Sequence, residues 1–217
     1  KPSIIDKTSK SVQNKVNSIL PNTYHEVVTA AIKNMVKIVV FGSQHISNLP
    51  IEDLSLLDRE LMVEEKAKLY RNTALIEGAS TGFGGILLGM ADLPLLMSIK
   101  IKFLYDVAGI YGYDVNDYKE RIYILNIMQL AFSSKEKRRN VFKRLETFDT
   151  YCEILPDDIN TFEWRSFQQE YRDYLDLAKM LQLIPGIGAF VGAYTNAKLM
   201  NQLTDIAKQC YRMRLFI

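Results

Sequence analysis

Gly85 and Gly89, and again Gly188 and Gly192, stand four residues apart inside apolar stretches, and these two stretches limit the possible folds most sharply. Four-residue spacing puts both glycines of a pair on one helical face, where absent side chains let another backbone come close. An interior helical glycine costs about 1 kcal/mol relative to alanine, so its repeated use points to a steric requirement. The first stretch, Thr81 to Ile99, contains Asp92 and Pro94 and is closed by Lys100 and Lys102; the second, Ile184 to Ala197, opens on Pro185-Gly186 and runs into polar residues. Neither offers about 18 uncharged apolar residues in a row, which disfavours a conventional membrane-spanning helix. The expectation is two central glycine-rich helices packed closely. Gly82, Gly85, Gly89, Gly188 and Gly192, with Asp92, are the candidate ligand-binding positions if the glycines instead leave room for an acyl chain or other apolar ligand. A hairpin that enters a bilayer shallowly is the third reading.

The rest of the chain reads as helices that need one another. Val12, Val16 and Ile19 share one face before Pro21, and Val28, Ile32, Met35 and Val39 share another. The β-branched run at 37–41 competes locally as a strand but has no partner strand nearby. A long helix is expected from Ser55 to about Glu77. Asp117 and Glu120 have capping-box spacing, followed by a stripe of Ile122, Leu125, Met128 and Phe132. Ser134 opens a further helix reaching Cys152, with Pro156 beyond it; Phe167, Tyr171, Tyr174, Ala178 and Leu181 mark another, ended by Pro185-Gly186; the last runs from about Ile187 toward Arg212. With 48% hydrophobic residues and no polar linker dividing the stripes, residues 1–217 are expected to form an all-α, single compact helical bundle.

Chemistry-bearing motifs are sparse. The histidines, His25 and His45, have no metal-ligand spacing, and the glycine runs lack a P-loop lysine or a Gly-x-Gly-x-x-Gly turn after a strand, so no cofactor or metal is expected. Ser80 and Ser98 lack a nucleophile elbow. Glu77 and Asp92 bracket the first glycine segment and are the catalytic candidates, with helix capping as the plainer role for Asp92 before Leu93-Pro94. Lys100 and Lys102, two apart on a helix, diverge in direction; Tyr105 and Asp106 are possible polar contacts on its other faces. A formal charge of +2 gives no overall field, and acidic residues interrupt every basic block, which argues against nucleic acid. Locally, the block from Lys135 to Arg144 is basic, that from Asp149 to Asp176 acidic, and the end basic again. Lys208, Arg212 and Arg214 with Phe216 form a candidate membrane surface, the cations meeting anionic headgroups and the ring the interface. The distant Cys152 and Cys210 suit a reducing compartment, and the polar start shows no secretory signal, so the expected location is the cytoplasm or the cytoplasmic face of the membrane.

The segments Ile76-Glu77-Gly78-Ala79-Ser80-Thr81-Gly82-Phe83-Gly84-Gly85, Ala91-Asp92-Leu93-Pro94 and Tyr111-Gly112-Tyr113-Asp114 resemble the central signature of the EcsC family. Leu181 to Ala189, Val191-Gly192-Ala193, Asn196 and Tyr211-Arg212-Met213-Arg214-Leu215 resemble its C-terminal signature in the same order. The resemblance covers residues 55–217. It implies a bacterial protein without an assigned reaction, whose namesake is encoded beside an ABC transporter, and hence a membrane transporter as a possible partner. The expected function is a peripheral membrane-associated or lipid-binding accessory protein. The alternatives are a lipid or phosphoester hydrolase using Glu77 or Asp92, and a protein-interaction scaffold at an ABC transporter. Nothing in the sequence sets the oligomeric state.

Overall fold

The computed structural model describes residues 30, 32–33, 35–36, 39, 50–81, 93–133, 135–163, 165–167 and 189–216; for 74–81, 93–95, 135–136, 159 and 189–195 it describes the backbone alone. These residues are helical, with no strand among them: α1 (Leu56–Thr81), α2 (Leu93–Ile110), α3 (Tyr118–Phe132), α4 (Lys135–Glu146), α5 (Phe148–Glu153), a 3-10 turn (Ile159–Thr161) and α6 (Ala189–Phe216). The all-α expectation therefore holds across the described residues. Residue 39, inside the β-branched run, is helical, and Ile32, Met35 and Val39 are buried together as their spacing predicts. The face built from Val12 to Ile19 and most of the helix from Phe167 to Leu181 lie outside the described residues.

The last helix is the axis of the fold. α6 packs against α1, α2, α3 and α4. Cross-links fix its direction: Glu60 meets Arg212, Glu64 meets Lys208 and Arg71 meets Asn201, so α1 and α6 are antiparallel. Tyr123 donates to the Cys210 carbonyl and Gln202 to that of Ala131, which makes α3 antiparallel to α6 as well. α2 runs with α6, since Lys100 faces Asn196 and Tyr111 stacks on Tyr211. The bundle thus has two ends. One holds the start of α1, the end of α2, the start of α3, α5 and the end of α6; the other holds the end of α1 and the starts of α2, α4 and α6.

Two local expectations change in detail. The stripe foreseen on α3 widens to a helix buried at every position but Lys119, because α2, α4 and α6 all pack against it. The helix expected from Ser134 to Cys152 is broken at Thr147, whose hydroxyl and N–H both turn back to the Lys143 carbonyl. That bend brings Phe148 edge-on against Tyr123, ring centroids 4.7 Å apart. Between α2 and α3 the chain turns at Gly112, whose φ of 89° is left-handed, and a Cβ there would sit 3.4 Å from the Ile51 carbonyl oxygen. The left-handed turn, rather than a shortage of space, is what favours glycine here.

Candidate functional site

The end of α6 is held down by a chain of polar contacts. Lys208 and Arg212, one turn apart, face α1 and pair with Glu64 (2.7 Å) and Glu60. Tyr211 and Arg214 face α3 and converge on Glu120: the Tyr211 hydroxyl donates to Oε1 and Arg214 Nη1 to Oε2, both at 2.6 Å. Glu120 is 4% exposed. Its spacing from Asp117 suggested a capping box; Asp117 does cap α3 through the Lys119 N–H, while the Glu120 carboxylate turns inward. The Arg214 guanidinium lies 3.9 Å from the centre of the Tyr113 ring and 4.3 Å from that of Tyr123, a cation held between two aromatic faces. The fully buried Tyr211 ring packs on Tyr111, Tyr113 and Tyr123.

Burial raises the Glu120 carboxyl above the usual range, with Arg214 and the two hydrogen bonds pulling it back. Burial likewise holds the Tyr211 phenol un-ionised, which keeps it a donor. At the rim, the hydrogen bond from Arg212 lowers Glu60, against a smaller opposing effect of burial. A recess of about 290 Å³ opens beside the pair, and Tyr113, Phe148, Arg214, Asp114, Asp117 and Asp149 are among the residues that line it. Burial pushes the Cys152 thiol in its wall upward, so this sulfur is protonated at neutral pH rather than an activated nucleophile. Among the described residues no group of three or more His, Cys, Asp or Glu could hold a metal ion.

The foreseen membrane surface is placed in this clamp: Lys208, Arg212 and Arg214 each have a carboxylate partner, and Phe216, 75% exposed, is the one apolar tip of the four. Two residues apart on a helix, Arg212 and Arg214 point to different neighbours, the divergence expected of Lys100 and Lys102. Those lysines diverge too: Lys100 is wholly buried with Asn196 Oδ1 at 3.4 Å, and Lys102 is exposed. Tyr105 and Asp106 are buried contacts; the tyrosine donates to the Val39 carbonyl, and Asp106 accepts from Tyr70 and pairs with Lys66 at 3.1 Å. Of the ligand and catalytic candidates, Gly192 lies in α6 and Glu77 in α1, both described by backbone alone; Gly82, Gly85, Gly89, Asp92 and Gly188 lie outside the described residues.

α4 carries the contrasting surface. Val141 and Leu145 face the core, while Arg139, Phe142 and Lys143 are exposed, Phe142 by 43%. Among the described residues neither Arg139 nor Lys143 has a carboxylate partner. Among the described residues no helix is long and apolar enough to cross a membrane.

The chain is similar to known proteins along its length. The EcsC protein family matches residues 1–216. Protein EcsC of Bacillus subtilis (strain 168) is 42% identical over 216 residues, covering 99% of this chain and 89% of that protein. The uncharacterized protein YdbA of the same organism is 31% identical over 156 residues, covering 70% of this chain and 56% of its own length. No solved structure matches. A family match over essentially all residues, with the relative's identity extending just as far, establishes that the chain belongs to the EcsC protein family.

Proposed function

We propose that this protein is a peripheral component of an anionic membrane surface, bound through headgroup contacts. The observation that carries the reading is the outer face of α4, where Arg139 and Lys143, with no carboxylate partner among the described residues, bracket the exposed ring of Phe142. A cation near an anionic bilayer gains about 1 kcal/mol, and an aromatic ring between two such cations adds interfacial contact. The clamped C-terminal cations have their charge neutralised within the chain and contribute less.

Flotation with vesicles tests this. The protein is expected to rise with phosphatidylglycerol vesicles at low salt, to dissociate as salt screens the attraction, and to ignore phosphatidylcholine vesicles. Phe142→Ala together with Lys143→Gln should weaken flotation about tenfold. Equal recovery with both vesicle types, or none with either, would remove the proposal.

A further inference from the structure

The seam where the start of α1 meets the end of α6 leaves large apolar side chains in water. Leu57 is 68% exposed and Leu61 56%, one helical turn apart on α1, and the end of α6 adds Leu215 and Phe216. The antiparallel register brings these groups together. Glu64 meets Lys208 and Glu60 meets Arg212, so a further turn in the same direction sets Phe216 level with the Leu56-Leu57 pair. Grouped exposed apolar side chains of this kind mark an interaction surface more often than scattered single ones do.

The charge around the patch is one-sided. Every side chain of 50–65 and 204–216 is described, and these two segments hold seven acids and four cations. All four cations are engaged within the chain: Arg59 donates to the Ile51, Leu54 and Ile110 carbonyls, Lys208 and Arg212 hold Glu64 and Glu60, and Arg214 holds Glu120. That leaves Glu52, Asp53, Asp58, Glu65 and Asp205, all exposed, with no cation partner among the described residues. Lys66 pairs with Asp106, and Lys68, one turn beyond Glu64, is the first exposed cation along α1 and ends the acidic stretch.

We infer that this seam is a docking site for a basic amphipathic helix of a partner protein, its apolar face laid over Leu57, Leu61 and Phe216 and its lysines or arginines facing the unmatched acids. Two antiparallel helices present a groove into which a third helix packs, and an apolar floor with an acidic rim selects one that is apolar on one side and cationic on the other. An anionic lipid surface is the wrong occupant, since the same carboxylates would be pressed against its headgroups. The site is separate from the outer face of α4 and leaves that face open to the membrane.

Fluorescence anisotropy with the whole chain tests the site, using a labelled amphipathic helix of leucine and lysine and its counterpart with glutamate at every lysine position. The lysine peptide should bind, more weakly as salt rises, and the glutamate peptide should not. Leu57→Asn with Leu61→Asn should weaken binding at least about tenfold, and because both side chains are exposed the fold should survive the change. Glu65→Lys should weaken it about threefold at low salt and match the native chain at high salt. Flotation of the double leucine variant with phosphatidylglycerol vesicles should equal that of the native chain. Equal binding of both peptides, or binding that the double variant leaves intact, overturns the proposal. A native dimer in sedimentation velocity that the double variant converts to monomer would assign the face to a second copy, and loss of flotation in that variant would assign it to lipid; either result overturns the proposal as well.

Discussion

Lys208, Arg212 and Arg214 of α6 each meet an acid; on the outer face of α4 the exposed Arg139 and Lys143 meet none among the described residues. In sequence the first group is the more conspicuous, a basic and apolar tail that looks made for a lipid surface. In space it is a fastening, because helical geometry sends Lys208 and Arg212 to the acids of α1, and Tyr211 and Arg214 to the one buried acid of α3. Basicity along a sequence and basicity of a surface are different quantities, and what separates them is where the carboxylates fall.

The comparison breaks most visibly at Tyr211. Truncating this buried ring to Ala should cost about 4 kcal/mol, since cavity and lost packing add to the lost hydrogen bond; urea denaturation reads it, and a cost below about 1 kcal/mol would mean the clamped end is not tightly packed. Arg214→Met should cost about 3 kcal/mol by leaving the Glu120 carboxylate buried without its cation, whereas Glu120→Gln with Arg214→Met should recover much of that loss. Additive losses in the double variant would show that the two residues are not coupled.

Acid sharpens the contrast within the clamp. Glu120 has a folded pKa raised above its unfolded value, so its contribution is complete below the unfolded pKa and is lost as pH rises through the folded one. Acidification from neutrality should thus stabilise the native chain relative to Glu120→Gln. Glu60 is lowered, so its contribution is present above the unfolded value and is lost as pH falls through the folded one. Native and Glu60→Gln proteins should converge in stability at acid pH, and thermal melts of the two pairs across pH should give difference curves of opposite slope. The smallest effects lie at the surface. Lys208→Gln should cost about 0.5 kcal/mol, because Glu64 is 48% exposed and water already screens the pair. Lys198→Gln should change urea stability by less than about 0.5 kcal/mol. A larger loss would give Lys198 a structural task.

Much of the fold is legible in the sequence, and the reasons are local. The extents of α1, α3 and α6 are foreseen to within a few residues, α3 because its apolar positions recur at helical intervals after Asp117, and α6 because Pro185-Gly186 interrupts the preceding helix. The break at Thr147 has no glycine or proline to announce it; it coincides with the long-range contact of Phe148 with Tyr123, which local sequence does not report. The clamp is harder to read, since 94 residues separate Arg214 from Glu120 and sequence periodicity reports faces rather than partners. One signal was available: Arg212 and Arg214, two apart on a helix, cannot share a surface, so one of them had to face inward. The outer face of α4 is legible in sequence only as part of a longer basic block, because which of its cations meet an acid is decided by tertiary packing.

Because α1, α2, α3 and α4 all pack against α6, the contacts that close the bundle join residues far apart along the chain. Glu60 and Arg212 are 152 residues apart, Arg71 and Asn201 are 130 apart, and Glu120 and Arg214 are 94 apart. Such loops lose their freedom before the contacts reward them, so docking of α6 is expected late in folding, and until then the apolar faces of the other helices have no shared partner to cover them.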